Sequence, residues 1–309
     1  MQSVQNSTLC ILQSPFIHLF TTQNMIPQAV DYKRAGSVSE AISLLAENPD
    51  AKILAGGHSL IPAMKLRLNS PSLLIDIARI PELRYIEVRD GGVAIGAAST
   101  HHDIISNADI QSRYGVMIEA GELIGDTQVR NVGTLGGSIA HADPSADWPA
   151  ALIALNASIK VEGPSGTREI PATEFFLGFF YTALEEGEIV TEVVLPAPAA
   201  GSRSVYRKFM QPASRFAIVG CAASVTIDGG TITDATVAFT GVSADGAFLD
   251  EAVGAALVGK SASLETIEAA ANAAAESAEL NEDHYASKTY RKHLAKVYAK
   301  RALVGACGL

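Results

Sequence analysis

Two pairs of adjacent glycines are the part of this sequence best suited to chemistry, because each lies between an apolar run and polar residues. The first pair follows the strand-like run 52–54, and the second lies within residues 131–144. Glycine lets the backbone approach a ligand closely and adopt the positive φ of a concave loop, whose bare N–H groups bind phosphate. A structural turn uses the same residues, but two such segments together indicate a diphosphate site. The residues predicted to form it are Ala55, Gly56, Gly57, His58, Ser59, Thr134, Leu135, Gly136, Gly137 and Ser138.

The charge balance fits an anion site built from backbone rather than from basic side chains. Among 309 residues, 23 Lys and Arg against 33 Asp and Glu give a net charge of −10. This argues against nucleic acid as a partner, since binding to its phosphates needs a basic surface. Two glycine segments could still neutralise the phosphate charges, with Ser59 and Thr134 adding hydroxyl groups.

Cysteine usage and hydropathy indicate the compartment. Cys10, Cys221 and Cys307 are far apart and form neither a disulfide framework nor a metal-binding motif. We therefore predict a reducing compartment, the cytoplasm, and expect any iron–sulfur cluster to lie on another chain, since a cluster usually needs four thiolates. No run approaches the roughly 18 apolar residues of a membrane span, so we predict a soluble protein.

Periodicity and turn signals predict a mixture of helices and strands, that is, an α+β fold. Ser37 and Glu40 fit a capping box at the start of a helix that ends at Asn48 and Pro49. Residues 196–202, rich in Pro and Ala, are the clearest linker. Further helices are predicted at 100–105, 117–124, 146–155, 264–280 and 286–303, the last with Tyr290, Leu294 and Val297 on one face. Strands are predicted at 52–55, 73–76, 85–88, 93–96, 159–162, 167–170, 189–195, 204–210, 218–227 and 231–242.

The first 24 residues form a segment of their own. They are polar with short apolar patches and lack the basic region of a signal peptide. Met25, followed by Ile26 and Pro27, reads as a more natural start. We treat residues 1–24 as a leader of uncertain order: an extended gene model, a disordered leader or a docking arm.

Four segments carry a family resemblance. Residues 55–67 (AGGHSLIPAMKLR) and 129–152 (VRNVGTLGGSIAHADPSADWPAAL) resemble the two FAD-contacting segments of the molybdenum hydroxylase flavoprotein subunit. That family includes the medium subunit of aerobic carbon monoxide dehydrogenase and the FAD domain of xanthine dehydrogenase. Residues 187–196 (GEIVTEVVLP) and 206–220 (YRKFMQPASRFAIVG) are similar to later segments of the same family. The resemblance extends over residues 25–309.

The resemblance implies a domain organisation. Residues 25–200 would form a FAD-binding domain of the vanillyl-alcohol-oxidase-like (PCMH) type, with two α+β lobes at about 25–80 and 81–200. Residues 203–309 would form a C-terminal flavoprotein domain, with a small antiparallel sheet of three strands and a helical bundle. The predicted linker and final helices agree with this division.

The resemblance also assigns roles to single residues. Asp147 matches a family carboxylate that contacts a hydroxyl-bearing part of the cofactor. The alternative is that it stabilises a helix N-terminus. Lys208 matches a lysine near the flavin, where a cation could stabilise negative charge on the reduced ring; the alternative is a solvated strand lysine. Arg215 replaces an Asp that many relatives carry. The resemblance adds Leu60, Ile124 and Val190 to the cofactor-binding residues, Ile124 standing where some relatives have an aromatic group.

Histidines invite two further interpretations. In wider vanillyl-alcohol-oxidase-like flavoproteins, a histidine at the position of His58 can bond covalently to flavin, but the molybdenum hydroxylase resemblance implies noncovalent FAD. His101 and His102 are adjacent and would point about 100° apart on a helix, so we predict surface or helix-start histidines rather than metal ligands. Trp148 is predicted to serve packing or an interface.

The function implied by the resemblance is that of an oxidoreductase subunit. A molybdopterin-containing large subunit would oxidise the substrate, and a small subunit with two [2Fe–2S] clusters would relay electrons to FAD on this chain. FAD would then reduce quinone, oxygen or NAD, in a complex organised as a dimer of heterotrimers. The sequence lacks a GxGxxG segment after a strand, which disfavours NAD as the acceptor.

Two alternatives stay open from the sequence. One is a self-contained flavin oxidase or dehydrogenase of the vanillyl-alcohol-oxidase-like class, and the other is a nucleotide-binding or scaffold protein without redox chemistry. The substrate of a complex would lie on another chain, so carbon monoxide, purines, aldehydes and N-heterocycles are all candidates.

Overall fold

The computed structural model describes residues 26–309, so the predicted leader, residues 1–24, lies outside the described residues. The predicted α+β fold is confirmed: the described chain contains three sheets of three or more strands and one two-stranded hairpin, with helices on their faces. In this part of the chain, no helix combines the length and apolar character that membrane crossing requires.

The first lobe is a parallel sheet in which a fully buried central strand pairs with both neighbours. The central strand carries the apolar run 73–75, which explains its place between the other two. Ser37 caps the first helix by accepting from the Glu40 amide at 3.1 Å, but Glu40 accepts from the Gly36 amide, one residue earlier than the predicted capping box requires. The elements are β1 (Asp31–Arg34), α1 (Val38–Glu47), β2 (Lys52–Leu54), α2 (Leu60–Lys65) and β3 (Leu73–Asp76), in the order β1-β3-β2.

The second lobe is built on a five-stranded antiparallel sheet. Its two outer hairpins turn at the predicted Asp90–Gly91 and Gly163–Gly166 positions, where φ is positive at Asp90, Gly91 and Gly166. A 3₁₀ turn at Pro81–Leu83 precedes the sheet. The elements are β4 (Ile86–Arg89), β5 (Gly92–Gly96), β6 (Ser158–Gly163), β7 (Gly166–Pro171), β8 (Phe176–Gly178), β9 (Tyr181–Thr182) and β10 (Ile189–Leu195), in the order β4-β5-β10-β6-β7 with β8-β9 as a separate hairpin.

Helices between the fifth and sixth strands carry the second glycine segment and Asp147. Three of them were predicted, but the prediction of a glycine loop at 134–138 is wrong, because these residues form the first turns of a helix. Gly is a poor helix former, yet Thr134 caps this helix and stabilises it. The helices are α3 (His101–Ile105), α4 (Ala108–Arg113), α5 (Gly115–Glu122), α6 (Thr127–Val132), α7 (Leu135–His141), α8 (Asp147–Ala154) and, after β7, α9 (Ala172–Phe175).

The C-terminal part is an antiparallel sheet of four strands, one more than the resemblance implied. The extra strand, at 246–249, extends the long predicted hairpin. The helix predicted at 264–280 ends at Ala271, and the last helix begins at Lys288 and ends at Cys307. The elements are β11 (Ser202–Met210), β12 (Ala217–Asp228), β13 (Thr231–Ser243), β14 (Gly246–Leu249), α10 (Glu251–Leu257), α11 (Leu264–Ala271) and α12 (Lys288–Cys307).

The predicted apolar face of α12 is confirmed in part, since Leu294 is buried and Val297 packs against the core, but it is wrong for Tyr290. Tyr290 is 43% exposed, whereas Arg291 is buried with its guanidinium bound to the Ile218 and Gly241 carbonyls. Helix α12 packs on β11 and β12. The buried residues of α12 are Arg291, Leu294, Ala295, Tyr298, Ala299, Ala302, Leu303 and Ala306.

The C-terminal sheet packs on both faces. Successive residues of β12 alternate between two cores: Ala222 joins the core of the second lobe, whereas Cys221 and Ala223 join the core under α10, α11 and α12. Helix α8, which carries the buried Trp148, covers the face of the sheet that belongs to the core of the second lobe. The sheet therefore connects the second lobe to the C-terminal helices.

Candidate functional site

The first glycine segment is a bend between β2 and α2 with unused backbone donors. Gly57 has φ +71°, a conformation that favours glycine. Within residues 26–309, no group accepts from the amides of Gly56, Gly57, His58 or Ser59. The Ser59 side chain makes no capping bond. Consecutive free amides of this kind form a concave donor set for an anion.

The two glycine segments lie against each other in the fold. A methyl group on Gly56 would lie 2.4 Å from the Val132 carbonyl oxygen and 2.7 Å from the Cα of Gly133. A methyl group on Gly137 would lie 3.7 Å from the Cβ of Ala55. Segments about 75 residues apart in sequence thus meet with their bare backbones in contact, as the diphosphate prediction required.

The second segment does not offer the free amides that we predicted. The Leu135 amide donates to the Ser99 carbonyl at 3.1 Å, and the Gly136 amide donates to the Ala97 carbonyl at 2.8 Å. The Gly137 amide donates to Thr134 Oγ1 at 3.1 Å. Because the Thr134 oxygen acts here as an acceptor, its own proton is still available to a ligand.

The structure gives two glycines of this helix a packing role. A methyl group on Gly136 would lie 2.6 Å from Ala97 Cβ, and one on Gly137 would lie 2.8 Å from Thr134 Oγ1. Leu135 is fully buried in the core of the second lobe, so its side chain faces away from the glycine contact. The first segment therefore supplies the free amides, and the second supplies a closely packed wall.

Asp147 and Lys208 form a buried ion pair. Lys208 Nζ donates to Asp147 Oδ2 at 2.8 Å and to the Leu123 carbonyl at 3.2 Å, and the Tyr206 hydroxyl donates to Asp147 Oδ1 at 2.6 Å. The lysine side chain is 0% exposed, so the alternative of a solvated strand lysine is wrong. Burial raises the pKa of Asp147, and the charge of Lys208 opposes that rise.

An open cleft of about 300 Å³ borders this ion pair. It gives solvent a path towards Leu123, the carbonyl partner of Lys208. The lining residues are Glu119, Glu122, Leu123, Tyr206, Arg207, Lys208, Tyr298 and Arg301.

His101 is the functional candidate that sequence reasoning missed. It begins α3 as predicted but is only 5% exposed, so a surface position is wrong for it; His102 is exposed. The Trp148 indole N–H donates to His101 Nδ1 at 2.9 Å. Burial, together with the charges of His58 and Arg130, lowers the pKa of His101 to about 4. The buried Ile104, three residues later on the same helix face, was the available signal for an inward histidine.

The remaining predicted residues occupy different surroundings. His58 is exposed, and Leu60 begins α2 half-buried. Ile124 packs at the edge of the second lobe's core, while Val190 is buried inside it. Arg215 lies in the bend after β11 with φ +63°. No cluster of three metal-ligating side chains occurs within residues 26–309.

Two family descriptions match successive parts of the chain. Residues 28–198 match the FAD-binding domain in molybdopterin dehydrogenase. Residues 204–306 match the C-terminal domain of the carbon monoxide dehydrogenase flavoprotein.

Individual relatives are similar over nearly their whole length. The carbon monoxide dehydrogenase medium chain of Hydrogenophaga pseudoflava is 44% identical over 90% of this chain and 97% of its own. The glyceraldehyde dehydrogenase medium chain of Sulfolobus acidocaldarius is 38% identical over 90% of this chain and 98% of its own.

Solved structures share the same fold. Carbon monoxide dehydrogenase from Hydrogenophaga pseudoflava, in a form lacking the Mo-pyranopterin moiety of the molybdenum cofactor, matches with a TM-score of 0.89 and 45% identity, covering 92% of this chain and 99% of that one. Quinoline 2-oxidoreductase from Pseudomonas putida 86 matches with a TM-score of 0.87 and 32% identity over the same shares of both chains.

Proposed function

Because the chain belongs to the family of FAD-binding medium subunits of molybdenum hydroxylases, we propose that it is the electron-transfer subunit of such a complex. The observation that supports this most directly is the contact between the two glycine segments, of which the first supplies free amides that suit the diphosphate of FAD. A relative 44% identical over 97% of its own length carries the name of a medium chain.

The donor set of this chain fits FAD. We propose that the amides of Gly56, Gly57, His58 and Ser59 bind the diphosphate, with hydroxyl groups of Ser59 and Thr134 as further donors. When bound, FAD supplies redox chemistry that couples single-electron delivery to two-electron acceptors. The chain itself binds and orients the cofactor, and no basic side chain is needed at the free amides.

Lys208 is proposed to act on the flavin end of the site. Its Nζ holds the Leu123 carbonyl, next to Ile124, while Asp147 balances its charge. This contact fixes the backbone next to Ile124, which the sequence resemblance places among the cofactor-binding residues. The ion pair would thus orient the backbone that borders the flavin. Two of the three Nζ protons of Lys208 are used, so one is left for a further hydrogen bond.

The family suggests the partners. We propose a small subunit with [2Fe–2S] clusters, a large subunit with molybdopterin, and a dimer of such heterotrimers in the cytoplasm. Names such as "medium chain" among the relatives support a three-subunit complex, and the free thiols of Cys221 and Cys307 support a reducing compartment. Quinone, oxygen and NAD are the candidate acceptors.

FAD is proposed to bind without a covalent bond. His58 is exposed beside the free amides, so its position alone would permit a bond to flavin. Acid precipitation of the FAD-loaded chain tests this directly. Yellow colour in the supernatant supports noncovalent binding, and colour that stays with the pellet contradicts it.

The function is tested by reducing the isolated chain without oxygen. The purified chain should bind one FAD, and carbon monoxide, purines, aldehydes or N-heterocycles should not bleach it until the partner subunits are added. Bleaching of the isolated chain by one of these compounds would instead indicate a self-contained flavin oxidase. A chain that binds no flavin would indicate a scaffold protein.

A further inference from the structure

His101, a residue only 5% exposed, carries a ring N–H group that the described protein does not use. The Trp148 indole is a donor only, so the Nδ1 atom that it contacts at 2.9 Å must be an acceptor. Burial, together with the nearby charge of Arg130, lowers the pKa of His101 to about 4, so the ring is neutral at physiological pH. A neutral imidazole has one proton, which must therefore lie on Nε2.

The Nε2 atom lies at the seam between the two glycine segments. A methyl group on Gly133 would lie 2.7 Å from Nε2, so the ring edge is packed against the bare backbone there. Gly133 also contacts Gly56 of the first segment, and its carbonyl accepts from the His101 amide at 2.9 Å. The charge of His58 acts on the same ring. His101 thus reaches the place where both segments meet.

No described residue accepts a hydrogen bond from this Nε2–H, although His101 is only 5% exposed. The buried side-chain polar atoms without a partner in residues 26–309 are Arg215 Nε and Arg291 Nε, so His101 Nε2 can be reached from outside the protein. The ring is already fixed by Trp148, so a ligand that accepts from it would lose little side-chain freedom on binding. These conditions are typical of a donor that is oriented in advance for a ligand.

We propose that the Nε2–H group of His101 donates a hydrogen bond to a diphosphate oxygen of FAD. Trp148 is the positioning residue, because its indole N–H fixes which ring nitrogen carries the proton. This inference rests on the proposed function, since it assumes that FAD is the ligand of the glycine segments. The His101 ring would add a hydrogen-bond donor next to the second glycine segment, whose own amides already donate within the protein.

Two substitutions separate this role from a structural one. In His101→Asn the amide oxygen can replace Nδ1 as the acceptor for Trp148, but nothing reaches the Nε2 position. In His101→Gln the amide nitrogen can replace Nε2, but Trp148 loses its acceptor. A donor role requires that Asn weakens FAD binding and Gln retains it, whereas a purely structural role requires the opposite order.

The test is fluorescence titration of the FAD-free full chain with FAD, alongside thermal unfolding of the same FAD-free samples. We expect His101→Asn to raise the Kd for FAD about tenfold, as the loss of one charge-assisted hydrogen bond does. Its thermal midpoint should stay close to wild type, and the Kd of His101→Gln should stay within about threefold of wild type. An unchanged Kd in His101→Asn would overturn the inference. Failure of the wild-type chain to bind FAD would instead overturn the proposed function.

A second measurement needs no substitution. In the wild-type chain labelled with ¹⁵N-histidine, the ring of His101 should appear as the neutral tautomer with its proton on Nε2. Adding FAD should shift that proton signal downfield, because it then forms a hydrogen bond to an anionic oxygen. A signal that does not move when FAD saturates the chain would contradict the proposal even if both variants failed to fold.

Discussion

Gly56 is the residue whose identity the site depends on most. Any side chain there would meet backbone atoms of Val132 and Gly133, which cannot move aside as a flexible side chain can. We therefore expect Gly56→Ala to separate the two glycine segments and to raise the Kd for FAD at least tenfold, measured by flavin fluorescence titration. Its free energy of unfolding should fall by about 1–3 kcal/mol, the usual cost of overpacking.

Gly36→Ala is the matched control for this prediction. A methyl group on Gly36 would meet only the end of the Glu40 side chain, at 3.3 Å. The variant should bind FAD as wild type does, with a stability change within about 0.5 kcal/mol. If Gly56→Ala bound FAD as tightly as this control, close contact of the segments would not matter for binding.

The buried His101 predicts how the stability of the FAD-free chain depends on pH. Its pKa is lowered to about 4 in the folded state, against about 6.5 in the unfolded chain. Between these values the unfolded state binds the extra proton, so the stabilising contribution is complete above pH 6.5 and disappears as the pH falls towards 4. His58 and Arg130 face the same ring and oppose its protonation. The full loss is roughly 3 kcal/mol.

Urea unfolding of wild type and His101→Asn at several pH values measures this contribution. The wild-type free energy of unfolding should fall more steeply than that of the variant between pH 6.5 and 4, since Asn does not titrate. Parallel curves for the two proteins would mean that the histidine ring is not held neutral by burial.

Residue types alone predicted the glycine contacts but not the partners of the charged groups. A glycine pair after a strand is typical of a close backbone approach, and the contact of Gly56 with Gly133 agrees with it. Lys208 and Asp147 are 61 residues apart, and no local pattern indicates that they form a pair. His101 was predicted at the surface or at a helix start because only its adjacency to His102 was considered, and the apolar Ile104 three residues later was not used.

At the scale of elements, the Asp147–Lys208 pair joins α8 to β11 inside the protein. Removing one partner of a buried pair leaves an uncompensated charge, which costs about 3–5 kcal/mol. We expect Lys208→Met to lower the free energy of unfolding by about 3 kcal/mol. The double variant Asp147→Asn/Lys208→Met should be more stable than Lys208→Met alone, because no charge is then left in the interior. Urea unfolding of the FAD-free proteins measures both changes.

Lys292→Met is the control, because its ion pair with Glu276 has nearly the same length. That pair spans 2.7 Å but lies at the surface, where solvent and salt screen it. Its loss should change stability by no more than about 1 kcal/mol. A loss as large as that of Lys208→Met would show that length, rather than burial, sets the cost.

Strands were predicted more accurately than helices, and the reason is physical. Most predicted strands agree with observed ones within two residues, since apolar runs bounded by turn residues define them well. Helix α7 was missed because Gly136 and Gly137 lower helix propensity, while Thr134 and tertiary packing stabilise it. In α12 the exposed Tyr290 and the buried Arg291 were missed, because the carbonyl acceptors of this arginine lie on the partner sheet and helical periodicity does not reveal them.

At the scale of the whole molecule, the C-terminal sheet belongs to two cores at once. Tyr206, Ala222 and Ala238 pack into the core of the second lobe, although they lie beyond the predicted linker. The next residues along the same strands, such as Phe239, pack under the C-terminal helices. The two family matches divide the chain near residue 200, but the core of the second lobe contains residues from both sides of that division. We therefore expect both parts to unfold together.

Leu257→Ala tests this coupling in the full chain. Leu257 is fully buried under the C-terminal helices, so its loss should cost about 2–5 kcal/mol. Trp148, the sole tryptophan, lies in the other core and reports on it by fluorescence. If the cores unfold as one, the substitution should lower the urea midpoint of Trp148 fluorescence and of far-UV circular dichroism by the same amount.

Leu264→Ala, at a position 56% exposed on the same side of the sheet, should leave both midpoints nearly unchanged. A Trp148 midpoint that stays at its wild-type value in Leu257→Ala, while the circular dichroism curve splits into two steps, would mean that the two cores unfold independently. Coupled unfolding has a direct consequence for the site. The Asp147–Lys208 pair crosses the family boundary, so damage under the C-terminal helices should weaken FAD binding without touching any residue near the cofactor.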